Sequence, residues 1–316
     1  MIKKTVYGLV GPTASGKTSL SLELARALGG EILCMDSMQI YRGMDIGTAK
    51  PTAEERAAAP HHLLDVADPA EPFSVTEYTA LARPLLERIA APILVGGTGF
   101  YLRGLSQPMD YGYVRGDQAI RDRYEAMAAE QGVQAVHDRL RAVDPASADR
   151  LHPNDLRRVV RALEVYELTG ERFSDQKMPG PEAEPYHFLL FALDWPRDVL
   201  YRRIDARVDV MMAEGLPEEV RRLLDSGVPA DAQAMQGIGY KELIPVLREG
   251  APLDEAVELI KRRSRNYAKR QLTWFRADKR IHWIAMPEGK TMEDAYGDMM
   301  GVLERARPEP AQTEEN

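Results

Sequence analysis

The 316 residues contain a single cysteine, Cys34, set in the apolar run Ile32, Leu33, Cys34, Met35. One thiol cannot form an intramolecular disulfide or a cysteine-based zinc site, which excludes a disulfide scaffold and points to a reducing compartment. Long apolar runs are missing as well. No stretch reaches the roughly 18 uncharged apolar residues of a membrane helix, and Met1, Ile2, Lys3, Lys4 lead directly into a short strand-like run, too short for a signal h-region. A cytoplasmic chain is the expectation. Positive charge is in the minority: 41 Lys and Arg stand against 49 Asp and Glu, a net charge of -8. Such a balance argues against a protein that coats nucleic acid over its whole surface. No internal repeat and no low-complexity class is present.

What remains is ordinary globular material. Hydrophobic residues make up 44% and charged residues 28%, and the length exceeds one compact domain, so a core plus an inserted or appended module is expected. One stretch departs from the acidic average. Lys261, Arg262, Arg263, Arg265, Lys269, Arg270, Arg276, Lys279 and Arg280 are opposed only by Asp278, which permits a directed polyanion site. Tyr267, Trp274 and Phe275 interleave it. Their helical spacing favours the core for Phe275 and leaves Trp274 open.

The first hundred residues alternate short apolar runs with amphipathic stretches, the pattern of βαβ units and a parallel sheet. Thr5 to Val10, Glu31 to Met35 and Ile93 to Val95 read as strands. Lys17 to Leu28, ended by Gly29 and Gly30, and about Thr76 to Ile89 read as helices. Ligands in open parallel sheets bind beyond the carboxyl ends of the strands, so a site should gather around Gly11, Asp36 and Gly97. From about Asp110 to Pro185 the strand signal vanishes, and Gln118 to Glu130, Val133 to Val143 and about Asn154 to Leu168 read as helices. Phe188 to Leu193 returns as a strand, followed by helices to about Arg276 and a short strand, Ile281 to Ile284. The expected architecture is α/β: a P-loop NTPase-like core from residues 1–110 and 186–305, a parallel sheet flanked by helices, with an all-helical insertion over 111–185. Residues 306–316, with Pro308, Pro310 and several acids, read as a disordered tail.

Gly11, Pro12, Thr13, Ala14, Ser15, Gly16, Lys17, Thr18 spells a P-loop between a strand and a helix, the context its mechanism requires. The glycines let backbone amides wrap phosphate oxygens, the helix supplies its positive end, and Lys17 adds a point charge. Thr18 is placed to put its hydroxyl on a Mg2+ ion shared with the phosphates. The grip identifies a diphosphate ligand but not its cargo. Asp36, at the end of the second strand, can bind magnesium through water or accept a proton from a nucleophile; the plainer alternative is an aspartate capping its own turn. Gly96, Gly97, Thr98, Gly99 is either a tight turn or a phosphate or nucleophile contact. His61 and His62 have no nearby ligand set and are assigned no metal.

These segments together resemble the tRNA dimethylallyltransferase family. The P-loop, Asp36 to Lys50 with Pro51, and Val95 to Tyr101 carry the resemblance. Pro60 to Asp65, His152 to Asp155 leading to Arg158 and Arg161 to Glu164, Met235 to Glu242, and Tyr267 to Arg276 extend it in order over nearly the whole chain. The resemblance implies transfer of a dimethylallyl group from dimethylallyl diphosphate to the exocyclic N6 amine of the adenosine 3′-adjacent to a tRNA anticodon, with release of diphosphate. It implies Asp36 as proton acceptor, Thr98 near the reacting centre and Arg207 on the diphosphate. An adenine in an anticodon stack must be extruded to reach Asp36, and Asp36, Ser37, Met38 and Gln39 match the segment that holds it. Gln39, with donor and acceptor groups, suits an adenine edge. The insertion would hold the anticodon loop through the segment Arg157, Arg158, Val159, Val160, Arg161, with Arg121 close to the channel. Family members commonly carry glutamine where this chain has Arg157, so a hydrogen bond there is replaced by a charge contact. A monomer using Mg2+, with no membrane partner, completes the expectation. Three rivals remain: an adenylate isopentenyltransferase, which the insertion and basic stretch argue against; a P-loop small-molecule kinase; and a non-catalytic RNA-binding protein that senses nucleotide.

Overall fold

The computed structural model describes residues 3–106, 116–175 and 183–306. One compact unit lies within Met1–Ser106 and Tyr186–Asn316, the other within Gln107–Pro185. The first unit is built on six parallel strands: β1 (Thr5–Val10), β2 (Glu31–Cys34), β3 (His61–His62), β4 (Pro92–Gly96), β5 (His187–Asp194) and β6 (Ile281–Ala285), in the order β3-β2-β4-β1-β5-β6. The central strands read as near-continuous apolar runs because helices cover both faces of a parallel sheet. Phe188 to Leu193 are all buried, as are Ile32, Leu33 and Cys34.

Helix α1 (Lys17–Leu28) follows β1 and ends at Gly29, whose φ of 56° is the left-handed cap a glycine adopts most easily. α2 (Ala53–Ala58) and α3 (Val75–Arg88) both open with capping boxes, from Thr52 with Glu55 and from Ser74 with Glu77. α4 (Gly99–Ser106) begins at the last residue of the segment Gly96, Gly97, Thr98, Gly99, where the sequence reading placed no helix. It buries Tyr101, Leu102 and Leu105, and Tyr101 stacks on Tyr78 of α3 with ring centroids 3.9 Å apart.

The second unit is helical. α5 (Gln118–Gln131), α6 (Val133–Val143), α7 (Pro145–Arg150) and α8 (Leu156–Thr169) pack around Val136, Leu140, Val159, Val160 and Leu163.

Back in the first unit, α9 (Arg197–Ala213), α10 (Leu216–Asp225), α11 (Tyr240–Glu249) and the long α12 (Leu253–Ala277) form a helical layer. Its core includes Val208, Val220, Leu243 and Ile260, joined by Ile40, Tyr41 and Met44 from the loop after β2. α13 (Met292–Ala306) was not anticipated; it buries Ala295, Met299 and Leu303 against the sheet with Leu20 and Leu24 of α1. Residues 307–316, where a disordered tail was expected, lie outside the described residues. No helix among the described residues is long and apolar enough to cross a membrane.

β4 sits between β2 and β1, so the loops leaving the carboxyl ends of these three strands lie side by side. The packing there is tight. A Cβ on Gly96 would lie 2.0 Å from the Met35 carbonyl oxygen, an approach no other residue could make.

Candidate active site

The chain leaves β1 through a loop in which Gly11 and Gly16 take φ of 124° and 97° and Ala14 takes 60°. Positive φ suits glycine and is uncommon for alanine. The Ser15 hydroxyl donates to the Pro12 carbonyl at 2.9 Å and ties the loop. Gly16 is the N-cap of α1 and offers no side chain to the first-turn amides. A helix start left this way presents N–H groups and the positive end of the helix dipole to an anion. Lys17 stands over it, its Nζ donating to the Gly11 and Pro12 carbonyls at 3.2 and 2.6 Å. Burial lowers the Lys17 pKa from 10.5 to about 8, helped by the Arg207 charge and opposed by Asp36.

Asp36 uses its two oxygens differently. Oδ1 accepts from the Met38 amide at 2.9 Å and from the Gln39 amide at 3.4 Å, the local turn cap. Oδ2 has no hydrogen bond among the described residues, and Asp36 lines the same cavity as Lys17. Thr98, two residues past β4, binds the neighbouring Ser37. Its Oγ1 accepts from the Ser37 amide at 3.0 Å and donates to Ser37 Oγ at 3.3 Å, and its own amide donates to the Met35 carbonyl at 3.2 Å.

Arg207 reaches the cavity from α9. Its Nε is buried with no hydrogen-bond partner among the described residues, and burial lowers its pKa against the opposing pull of Asp36. A buried guanidinium N–H without an acceptor is unfavourable by roughly 1–3 kcal/mol, and an anionic ligand would satisfy it. Lys17, Arg207 and the first turn of α1 thus converge on a cavity of about 470 Å³.

Several braces of this loop escaped the sequence reading. Gln271 of α12 accepts from the Thr13 amide at 3.1 Å and donates to the Gly97 carbonyl at 2.9 Å, joining the loops after β1 and β4. The Trp195 indole donates to the Ser15 carbonyl at 2.9 Å, and Arg203 Nε to the Ala14 carbonyl at 2.8 Å while stacking over Trp195 at 4.5 Å. No motif marks Trp195 or Arg203. Gln271 lies inside the Tyr267 to Arg276 block that carries the resemblance, but no role was attached to it.

Gln39 differs from its expected posture. Its amide donates to the Thr48 and Ala49 carbonyls at 3.0 and 3.1 Å, and its oxygen receives the Cys34 thiol at 3.3 Å. Both donors serve the loop and one lone pair of the oxygen takes the Cys34 thiol, so only the second lone pair is open to a base. Thr18 lines the cavity at the start of α1. Among the described residues no three His, Cys, Asp or Glu side chains form a metal cage.

Comparison with known proteins matches the IPP transferase family model over residues 39–278 and an isopentenyl transferase model over residues 4–65. The chain belongs to the IPP transferase family. The tRNA dimethylallyltransferase of Geobacillus thermodenitrificans is 51% identical over 91% of this chain and 92% of its own length, and that of Halalkalibacterium halodurans 46% identical over 96% and 99%. Among solved structures, the tRNA isopentenylpyrophosphate transferase of Bacillus halodurans aligns with a TM-score of 0.71 at 44% identity, covering 96% of each chain. A eukaryotic dimethylallyltransferase acting on tRNA aligns with a TM-score of 0.79 at 28% identity, covering 98% of this chain and 81% of its own.

The four arginines expected to meet tRNA fall into two sets. Arg121 and Arg161 share the fully buried carboxylate of Glu164, which accepts from Arg121 Nε at 2.8 Å, from the Asp117 amide at 2.7 Å and from Arg161. Burial pushes the Glu164 carboxyl up, but these bonds outweigh it and hold it below the usual range. Arg157 and Arg158 are exposed, with Arg158 3.3 Å from Asp155. Val159 and Val160 were grouped with these arginines as RNA contacts; here their side chains are core, 0% and 3% exposed, because a helix turns successive residues to different faces.

The basic stretch is also less free than its sequence suggests. Lys261 pairs with Asp209, Arg263 with Glu242, Arg265 with Asp205, Arg276 with Asp194 and Arg280 with Asp278. Arg262, Lys269, Arg270 and Lys279 are exposed and without an ion pair among the described residues. Phe275 is core at 0% exposure, whereas Trp274 is 40% exposed, its indole lying over Gly99.

Proposed function

We propose that this protein moves a dimethylallyl group from dimethylallyl diphosphate to the N6 amine of the tRNA adenosine 3′-adjacent to the anticodon. Transfer of the dimethylallyl group to tRNA is the activity of its family relatives across nearly the full chain. The observation that carries the residue roles is the divided use of Asp36: one oxygen fixed by backbone, the other uncommitted in a cavity walled by Lys17 and Arg207.

The donor's diphosphate lies on the first-turn amides of α1, Lys17 and Arg207. As the bond from the allylic C1 to the bridging oxygen breaks, the electron pair leaves with diphosphate, and these groups stabilise its growing charge. The N6 lone pair forms the new bond to C1. Asp36 Oδ2 takes the N6 proton, leaving a neutral secondary amine on RNA. Thr98, held by Ser37, orders the wall beside the reacting nitrogen. Thr18 would hold Mg2+ together with the diphosphate oxygens, and when bound the ion would supply charge neutralisation there. The exposed Arg157 and Arg158 contact the anticodon loop by charge. Arg121 and Arg161, committed to Glu164, shape that face.

Incubation of the purified chain with labelled dimethylallyl diphosphate and tRNA tests this. Label should enter tRNA at one adenosine without ATP. Label entering only free adenine nucleotides would favour an adenylate isopentenyltransferase; turnover requiring ATP would favour a kinase.

A further inference from the structure

The segment Met235–Glu242 takes no part in this chemistry, yet it is packed against the loop that follows Asp36. A Cβ on Gly237 would lie 2.4 Å from Met38 Cε, and one on Gly47 would lie 2.7 Å from the Tyr240 ring. Between them sits Glu219 of α10, 1% exposed. Its Oε2 accepts from the Asp45 and Ile46 amides at 2.9 and 2.8 Å, and its Oε1 accepts from the Gly47 amide at 3.0 Å and the Tyr240 hydroxyl at 2.6 Å. A buried carboxyl group is strongly unfavourable unless its lone pairs are satisfied. All four acceptor positions are filled here, three of them by consecutive amides of one loop.

That loop has a further task. Directly after Gly47, the Thr48 and Ala49 carbonyls receive both protons of the Gln39 amide, and Lys50 Nζ closes the loop on the Tyr41 carbonyl at 2.6 Å. Without the carboxylate the three amides would lose their acceptor in a buried setting, and the two carbonyls that aim Gln39 would move with them. Gln39, Thr48 and Ala49 line the same cavity as Lys17 and Arg207, but the phosphate-gripping loop after β1 is held by its own bonds and shares none of these.

We propose that Glu219, seconded by Tyr240, is a positioning residue for the RNA acceptor: it acts through residues 45–49 to orient Gln39 and shape the base side of the cavity, leaving the phosphate-gripping loop after β1 in place. This rests on the acceptor reading given above.

Glu219→Gln keeps the volume but puts an NH2 group where an acceptor stood. With the NH2 toward Tyr240, whose hydroxyl can turn to accept, the Gly47 amide is left unpaired. The expected result is a rise of roughly tenfold in KM for tRNA, with KM for dimethylallyl diphosphate changed less than about twofold. Hydrogen exchange should quicken at residues 45–47 and stay unchanged in β1. Tyr240→Phe, which removes one of the four bonds, should act in the same direction by about threefold and guards against a Glu219 variant that fails to fold. Equal changes in both KM values, or an unchanged tRNA KM in folded variants, would overturn the proposal. Should the parent chain not alkylate tRNA at all, the acceptor reading falls, and the exchange data alone decide whether Glu219 holds the loop.

Discussion

Replacing Asp36 by asparagine separates its two duties. The asparagine oxygen can accept the same two amides, from Met38 and Gln39, so the turn is kept, while the atom replacing Oδ2 becomes an NH2 that cannot take a proton. A positioned general base contributes about 10²–10⁴ in rate, equivalent to about 3–5 kcal/mol of barrier. The single-turnover rate should fall by that factor. Alanine is a less informative variant: it also deletes the two cap bonds, each worth about 1 kcal/mol net, and so loosens the segment that holds the base. The assay mixes enzyme in excess with labelled donor and tRNA and follows the first turnover, with tRNA affinity measured separately by filter binding. The asparagine variant should bind tRNA within about threefold of the parent, since no contact between folded elements is lost. A single-turnover rate within about threefold of the parent would refute the assignment of Asp36 Oδ2 as the proton acceptor.

Lys17, with its pKa depressed to about 8 by burial, loses its charge in the free enzyme as pH rises through that value. Because the protonated form grips diphosphate, kcat/KM for the donor should fall above about pH 8, while kcat, which reports the donor-bound state, should hold to higher pH; a flat kcat/KM profile would contradict this. Gln271→Ala removes the bonds to Thr13 and Gly97 and should lower kcat/KM for the donor by about three- to thirtyfold, with a far-UV circular dichroism spectrum like the parent's. Gly96→Ala forces a methyl group against the Met35 carbonyl, a backbone contact that cannot yield as a side chain would; its thermal midpoint should drop by several degrees or folded protein should be lost, and an unchanged midpoint would show the strands to be less close than described.

What was readable beforehand follows a physical division between local and non-local causes. β1 and α1 were found at Thr5–Val10 and Lys17–Leu28 because a strand, glycine-rich turn and capped helix are each set by neighbours in sequence. The strand ends located Gly11, Asp36 and Gly97 together for the same reason. α4 and α13 had legible patterns, Tyr101, Leu102 and Leu105 in one and Ala295, Met299 and Leu303 in the other, but glycine punctuation obscured the first. The buried charges were different in kind. Glu219 serves amides 172 to 174 residues away, Arg121 meets Glu164 across 43, and Arg265 meets Asp205 across 60; nothing near any of them in sequence announces the partner. A run of arginines and lysines therefore reads as one basic face until the fold divides it, and the division decides which of them can meet a phosphate. On α12 and the turn after it, the cations turned toward the core helices and strands neutralise Asp205, Asp209, Glu242 and Asp194. Arg262, Lys269, Arg270 and Lys279 keep their charge for solvent or a polyanion, so any salt-dependent attraction of RNA to this face rests on those residues rather than on the whole stretch.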